Sequence, residues 1–262
     1  MWRSHQVAVV IPAYQEEVLL PVTLKSLPAW LDAVIVVDDA SQDQTADVAL
    51  NMRSALSSVP HFHVIRCASN GGVGKAISIG YQKAIDLQMD IAVVVGADSQ
   101  MDASEMPRLL DACIQGADYV KGNRLTHETV RECMPKMRYW GNRILSYLTG
   151  KIMGVPHLSD AQCGYTAVRL SIFKHVNLQK LYPRYGFPND LLLKLALCNA
   201  KITQVPVTPI YANEQSKLRI PKVIFPILGV LLRGYLRKIR ACKHPVTSTL
   251  VFEDDIRSKE YE

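Results

Sequence analysis

The side chains best suited to chemistry in this 262-residue chain lie in short polar stretches, several of them directly after runs of apolar residues. Val93-Val94-Val95 passes straight into Gly96-Ala97-Asp98-Ser99-Gln100-Met101-Asp102, which places a carboxylate where a buried strand ends. Ligands of open α/β sheets bind at that edge, and an oxygen-rich turn there suits a hard divalent cation shared with substrate phosphates. The competing reading makes Asp98 a cap for a helix that begins near Ser104. Pro12-Ala13-Tyr14-Gln15-Glu16-Glu17 offers an aromatic face and carboxylates, and Asp38-Asp39 offers acceptors for a base or a ribose. N-capping, with Ser41 or Asp43 as the cap, accounts for at least one acid of that second turn.

Asn70-Gly71-Gly72-Val73-Gly74-Lys75 invites comparison with a phosphate-binding P-loop, but Ser69 stands where glycine is required and Ala76 where Ser or Thr is required. Its glycines either let backbone approach a ligand, with Lys75 near a phosphate, or form a tight turn. Arg124, Arg138 and Arg143 make a candidate phosphate-binding set, because guanidinium forks match phosphate oxygens. Singly, each is a solvated surface charge. Asn189-Asp190 opens an apolar stretch, where Asp190 is either a functional carboxylate or an N-cap.

Strands and helices alternate so as to bring these stretches together. Apolar runs predict strands at residues 7–11, 33–37, 62–65, 91–95 and 118–120. Helical spacing predicts helices at 16–27, 45–55, 74–87 and 104–115, and in the second half at 134–153 and 191–197. Such alternation implies crossover connections and a mostly parallel sheet covered on both faces.

Composition narrows the partners. A chain that is 48% hydrophobic and 21% charged buries a full core as one domain with an appendage. A net charge of +6 and a pI near 9.0 favour anionic ligands: nucleotides, phospholipid headgroups or nucleic acid. Nucleic acid is the weakest of these, because the basic residues cluster near the C-terminus without interleaved stacking aromatics. The six cysteines are scattered, without zinc-site spacing, and read as reduced thiols of a cytosolic protein. The first strand begins too near the N-terminus to leave room for a signal peptide.

Taken in order, Val9-Val10-Ile11-Pro12-Ala13-Tyr14-Gln15-Glu16-Glu17, Val37-Asp38-Asp39-Ala40-Ser41-Gln42-Asp43-Gln44-Thr45, Asn70-Gly71-Gly72-Val73-Gly74-Lys75-Ala76 and Ala97-Asp98-Ser99-Gln100 resemble the successive motifs of family 2 glycosyltransferases. The branch they most resemble is the dolichol-phosphate (polyprenyl-phosphate) mannosyltransferase-like enzymes. The likeness continues through Lys121-Gly122-Asn123-Arg124, Ser159-Asp160-Ala161-Gln162-Cys163-Gly164-Tyr165, Tyr185-Gly186-Phe187-Pro188-Asn189-Asp190 and Gln215-Ser216-Lys217-Leu218, so it covers residues 5–220.

The resemblance implies a nucleotide-diphospho-sugar transferase fold of the GT-A type, with a Rossmann-like, mostly parallel sheet flanked by helices. It implies an inverting, metal-dependent transfer from GDP-mannose or a UDP-hexose to a polyprenyl or dolichyl phosphate. Pro12, Ala13, Tyr14, Glu16 and Asp39 would hold base and ribose, Lys75 and Ala97 would complete the donor site, and Asp98 with Gln100 would hold magnesium or manganese on the diphosphate. Gly96 departs from the Asp-x-Asp pattern of many relatives, leaving Asp98 as the single strong carboxylate of that motif. Asp190 would stand near the reacting acceptor group, Asp160 and Gln162 in a loop beneath it, and Lys217 and Arg219 would clamp phosphates from the other side. The alternatives are the same donor chemistry on a soluble or polysaccharide hydroxyl, and a nucleotide-sugar-binding module without transferase activity.

The apolar run at residues 223–232 is flanked by Lys217, Arg219 and Lys222 before it and by Arg233, Arg237, Lys238, Arg240 and Lys243 after it. A bilayer span needs about 20 apolar residues, so this run is too short. It reads either as an amphipathic segment in the membrane interface or as a helix packed on the catalytic domain. The expected organisation is a catalytic domain over 1–218, a basic amphipathic segment over 219–245 and a mobile tail over 246–262, working at the cytosolic face of the membrane.

Overall fold

β-branched and small apolar residues predominate in the strands Val7–Ala13, Ala33–Asp38 and Ile91–Val94 at the centre of the sheet, which is covered on both faces. A computed structural model describes residues 1–210, 229 and 231–235. In chain order it contains β1 (Val7–Ala13), α1 (Leu20–Ser26), β2 (Ala33–Asp38), α2 (Thr45–Asn51), β3 (His61–Arg66), α3 (Val73–Asp86), β4 (Ile91–Val94), α4 (Met106–Ile114), β5 (Tyr119–Asn123), α5 (Val130–Cys133), α6 (Lys136–Met153), β6 (Thr166–Arg169), α7 (Phe187–Leu197) and β7 (Ile202–Pro206).

The strands form one seven-stranded sheet in the order β3-β2-β1-β4-β6-β5-β7. β3, β2, β1 and β4 run parallel, as alternation of strand and helix requires. β6 is antiparallel to both β4 and β5, and β7 returns parallel to β5. Neither β6 nor β7 was expected from the sequence: both are short, and β7 is only partly buried, so neither carries a long apolar run.

Side chains alternate between two cores. Ala8, Val10, Ile35 and Val94 pack with Tyr81 of α3 and with Leu191 and Leu192 of α7 on one face. Val9, Ile11, Val36 and Val93 pack with Leu24 of α1 and with Met106 and Leu109 of α4 on the other.

Prolines account for most shifts of helix boundaries. Pro21, Pro107 and Pro188 occupy the first positions of α1, α4 and α7, where a missing N–H costs nothing and φ is preset. The helix expected at 16–27 therefore begins at Leu20, and that expected at 191–197 begins at Phe187. The helix expected at 104–115 opens as a 3-10 turn, Ala103–Glu105, and the one at 45–55 ends in another, Ser54–Leu56. That expected at 134–153 begins at Lys136, just after Pro135, and the short helix α5 before it was not expected. The boundary expected at 218 lies outside the described residues. Residues 231–235 are helical, with Leu231 in the core and Leu232 and Tyr235 exposed. A Cβ on Gly234 would lie 3.1 Å from Leu193, so this short stretch has one face against α7.

Candidate active site

The loops after β1, β2 and β4 each contain a non-glycine residue at positive φ: Gln15 at 56°, Ala40 at 59° and Ser99 at 56°. Such backbone costs about 1 kcal/mol or more and persists only where neighbours over-determine it. The neighbours are identifiable. Gln15 N–H donates to Ser41 Oγ at 2.9 Å and Glu16 N–H to Thr45 Oγ1 at 2.9 Å, which laces the first loop to the second. Ser99 N–H donates to Thr23 Oγ1 at 3.1 Å and Thr23 Oγ1 donates to Ala97 O at 3.2 Å, which fixes the third loop to α1.

Pro12, Ala13, Tyr14 and Asp39 line a single cavity of about 240 Å³ at the carboxyl ends of β1 and β2. Its other wall consists of Asn70, Gly72, Val73 and Ala76 around the start of α3, with Arg184 and Tyr185 from the loop before α7. Glu16, Lys75, Ala97 and Asp98 are not among the lining residues. Arg184 and Tyr185 are the residues that sequence reasoning missed as site members; the signal was their place immediately before Gly186-Phe187-Pro188.

Asp39 is buried, and its two carboxylate oxygens accept from Gly71 N–H at 2.8 Å and Gly72 N–H at 2.7 Å. Lys75 N–H donates to Gly72 O at 2.9 Å and to Pro183 O at 3.0 Å. These amides of the glycine stretch are thus turned toward protein acceptors, which is a tight turn rather than a phosphate cradle, and Lys75 is exposed. Asp38 accepts from Ser41 N–H at 3.2 Å, and Asp43 accepts from both Thr45 N–H at 3.1 Å and Thr45 Oγ1 at 2.6 Å, so Asp43 closes the start of α2.

In the turn after β4, Asp98 Oδ1 accepts from Gln100 N–H at 3.1 Å. The capping role belongs instead to Asp102, whose carboxylate accepts from Ser104 N–H at 2.8 Å. A Cβ on Gly96 would stand 2.8 Å from Asp98 Oδ1, so glycine at 96 is what admits the carboxylate in this position. No group of three or more His, Cys, Asp or Glu able to hold a metal occurs among the described residues. The donor set fits a hard cation only if oxygens of a bound diphosphate and water complete the coordination beside Asp98 and Gln100, as magnesium accepts.

Across the sheet, Arg124 and Asp160 engage each other. Arg124 Nε and Nη2 donate to the two oxygens of fully buried Asp160 at 2.9 and 3.1 Å, and Gln162 N–H adds a bond at 3.2 Å. Burial alone would raise the Asp160 pKa, but the Arg124 charge and hydrogen bonds, with Lys121 nearby, hold it below the usual value. Lys121 is also fully buried; its Nζ donates to Cys163 O at 2.6 Å, and burial pushes the amine down to about 8. Gln162 Nε2 donates to Asn189 Oδ1 at 3.4 Å, which joins this loop to α7.

Asp190 does not cap α7 but lies in its first turn. Its Oδ2 accepts from Tyr182 N–H at 2.9 Å and from Lys194 Nζ at 2.7 Å, and Lys194 also donates to Lys180 O. Arg143 is exposed on α6, bonded to Tyr139 OH at 3.0 Å and lying over the Trp140 ring. Arg138 lies half-buried one turn earlier. On the same helix Met137, Trp140, Ile144 and Tyr147 recur at helical spacing and are each at least 60% exposed. The helix bears Lys136, Arg138, Arg143 and Lys151 and no acidic residue. Lys217 and Arg219 lie outside the described residues.

A family model described as glycosyl transferase family 2 matches residues 8–176. The undecaprenyl-phosphate mannosyltransferase of Micrococcus luteus is 32% identical over 211 residues, covering 78% of this chain and 83% of that protein. The UDP-N-acetylglucosamine–dolichyl-phosphate N-acetylglucosaminyltransferase of Methanococcus voltae is 28% identical, covering 88% of this chain and 96% of that protein. Among solved structures, glucosyl-3-phosphoglycerate synthase of Mycobacterium tuberculosis in complex with Mn2+, UDP and glucosyl-3-phosphoglycerate superposes with a TM-score of 0.63 at 18% identity, covering 88% of this chain and 80% of that one. The fold is thus the GT-A arrangement expected from the motifs.

Proposed function

Because the chain belongs to glycosyl transferase family 2, we propose that it moves a sugar, with inversion, from a nucleotide-diphosphate sugar to a polyprenyl phosphate at the cytosolic face of a membrane. The observation that carries the donor half is the cavity at the ends of β1 and β2, which gathers Tyr14 and Asp39 as an aromatic face and a carboxylate suited to a base and ribose. The acceptor half draws on the names of the Micrococcus luteus and Methanococcus voltae relatives, both of which act on a polyprenyl-type phosphate.

In this reading Asp98 and Gln100 would hold a divalent ion, which would supply charge neutralisation for the departing diphosphate. The remaining work falls to the chain. Asp39 and Tyr14 fix the nucleoside, so that the glycosidic carbon is presented from the β4 edge. A phosphate monoester has a second pKa of about 6 and arrives largely as a dianion, so no general base is needed. That agrees with Asp190, whose Oδ2 is already engaged by Tyr182 N–H and Lys194: it positions rather than deprotonates.

Contact with the lipid surface is supported by the exposed apolar stripe of α6 and its basic flanks, a combination that gains from apolar insertion and anionic headgroups together. No helix among the described residues is long and apolar enough to cross a membrane.

The test is transfer of radiolabelled sugar from a panel of GDP- and UDP-sugars, with magnesium or manganese, to a prenyl phosphate and to hydroxyl acceptors side by side. Label in the lipid phosphate that disappears with EDTA is the expected result. Label only in a hydroxyl acceptor would give the site to the alternative acceptor class, and binding of donor without transfer to anything would leave a binding module.

A further inference from the structure

We propose that Arg184 reads the base of the donor nucleotide and selects guanine over uracil; this rests on the nucleotide-sugar reading of the cavity. The loop that carries it is held over the glycine turn from both sides. Tyr182 N–H is bonded to Asp190, and Pro183 O accepts from Lys75 N–H at 3.0 Å. Gly72, at φ 92°, leaves no room for a side chain: a Cβ there would lie 2.7 Å from Arg184 Cγ and 2.8 Å from Pro183 O. The Arg184 stem is therefore seated against the turn, while its guanidinium reaches Asn70 Oδ1 and Asn70 O only through long contacts of 3.4 Å each. Among the described residues Arg184 forms no ion pair. A planar fork fixed at its base, weakly engaged at its tip and lining a cavity is set to receive a ligand.

The cavity's chemistry decides which part of the ligand that is. Asp39 lines it, and a carboxylate there repels a diphosphate but accepts from a base or ribose. Tyr14 and Tyr185 line it as exposed aromatics, and Asp98 does not. Arg184 thus faces the nucleoside end. Guanine presents O6 and N7 as adjacent acceptors, the pair that an arginine fork meets with two parallel bonds. Uracil places an N–H between its carbonyls, so the fork meets only one acceptor there.

The full chain is titrated in magnesium buffer with GDP, UDP and 7-deaza-GDP, for the wild type, Arg184→Lys and Arg184→Ala. Because Arg184 is exposed, both variants keep the wild-type thermal unfolding profile. The wild type is expected to prefer GDP to UDP by about tenfold or more, and to lose most of that margin with 7-deaza-GDP, which lacks the N7 acceptor. Both variants lose most of the preference, weaken GDP binding far more than UDP binding, and distinguish GDP from 7-deaza-GDP less than the wild type does. An equal loss of GDP and UDP in either variant would show a charge acting on the shared phosphates and overturn the proposal. So would a wild type indifferent to the base. If the wild type binds neither nucleotide, the donor reading falls and the proposal with it. Selective GDP binding without transfer to any lipid would cost only the acceptor assignment.

Discussion

At the scale of single residues, the turn after β4 assigns different duties to two neighbouring aspartates. Asp102 caps the 3-10 turn, and asparagine caps about as well, so Asp102→Asn should change stability by less than about 0.5 kcal/mol and leave turnover intact. Asp98→Asn should lower turnover roughly a hundredfold or more with an unchanged thermal midpoint, because it removes charge stabilisation at the leaving group and little packing. Steady-state rates at saturating donor and magnesium distinguish the two, and wild-type-like turnover of Asp98→Asn would remove that residue from the mechanism. Lys121 gives a pH signature. Its amine titrates near 8 in the folded chain against an ordinary 10.5. Between those values the unfolded chain binds one proton more than the folded chain, so stability rises with pH across that window. Denaturant unfolding of wild type and Lys121→Met at pH 7 and pH 10 should show the wild type gaining relative to the variant at the higher pH. A difference that stays constant would mean that the amine is not desolvated.

At the scale of elements, the loop before α7 connects the two halves of the site. Asp190 and Lys194 hold it from within α7, and it in turn forms one wall of the cavity at the ends of β1 and β2. Asp190→Asn should therefore keep measurable turnover on a prenyl phosphate while raising donor KM several-fold, a split that a general base does not produce. Collapse of kcat at unchanged donor KM would restore the proton-transfer role. These same connections mark where sequence reading stops. The strands β1 to β4 and the acids at their ends were legible because each motif is local: an apolar run and the polar turn that follows it. The pairing of Arg124 with Asp160, and the seating of Arg184 beside Gly72, depend on segments far apart in the chain, and neither leaves a periodic trace. Short β6 and β7 were missed for the same reason, since long-range pairing rather than their own composition makes them strands.

At the scale of the molecule, the charged and apolar groups of α6 define the face that meets lipid in the proposed reaction. The protein should sediment with anionic liposomes at low salt and be partly released at high salt, since screening weakens only the headgroup attraction. Trp140→Glu with Ile144→Glu should abolish sedimentation under both conditions while leaving nucleotide affinity unchanged. Retention by the double variant would move the contact to another surface. The sheet order has a consequence for how the chain acquires its structure. β3, β2, β1 and β4 pair among themselves using only the chain up to residue 94, whereas β6 must bring Arg169 back against Ile91, and β7 must then reach β5. Loop closures of that length slow folding. As the chain leaves the ribosome, the half built on β1 to β4 can therefore settle first, and the outer edge of β4 stays an open template until the residues of β6 have been made.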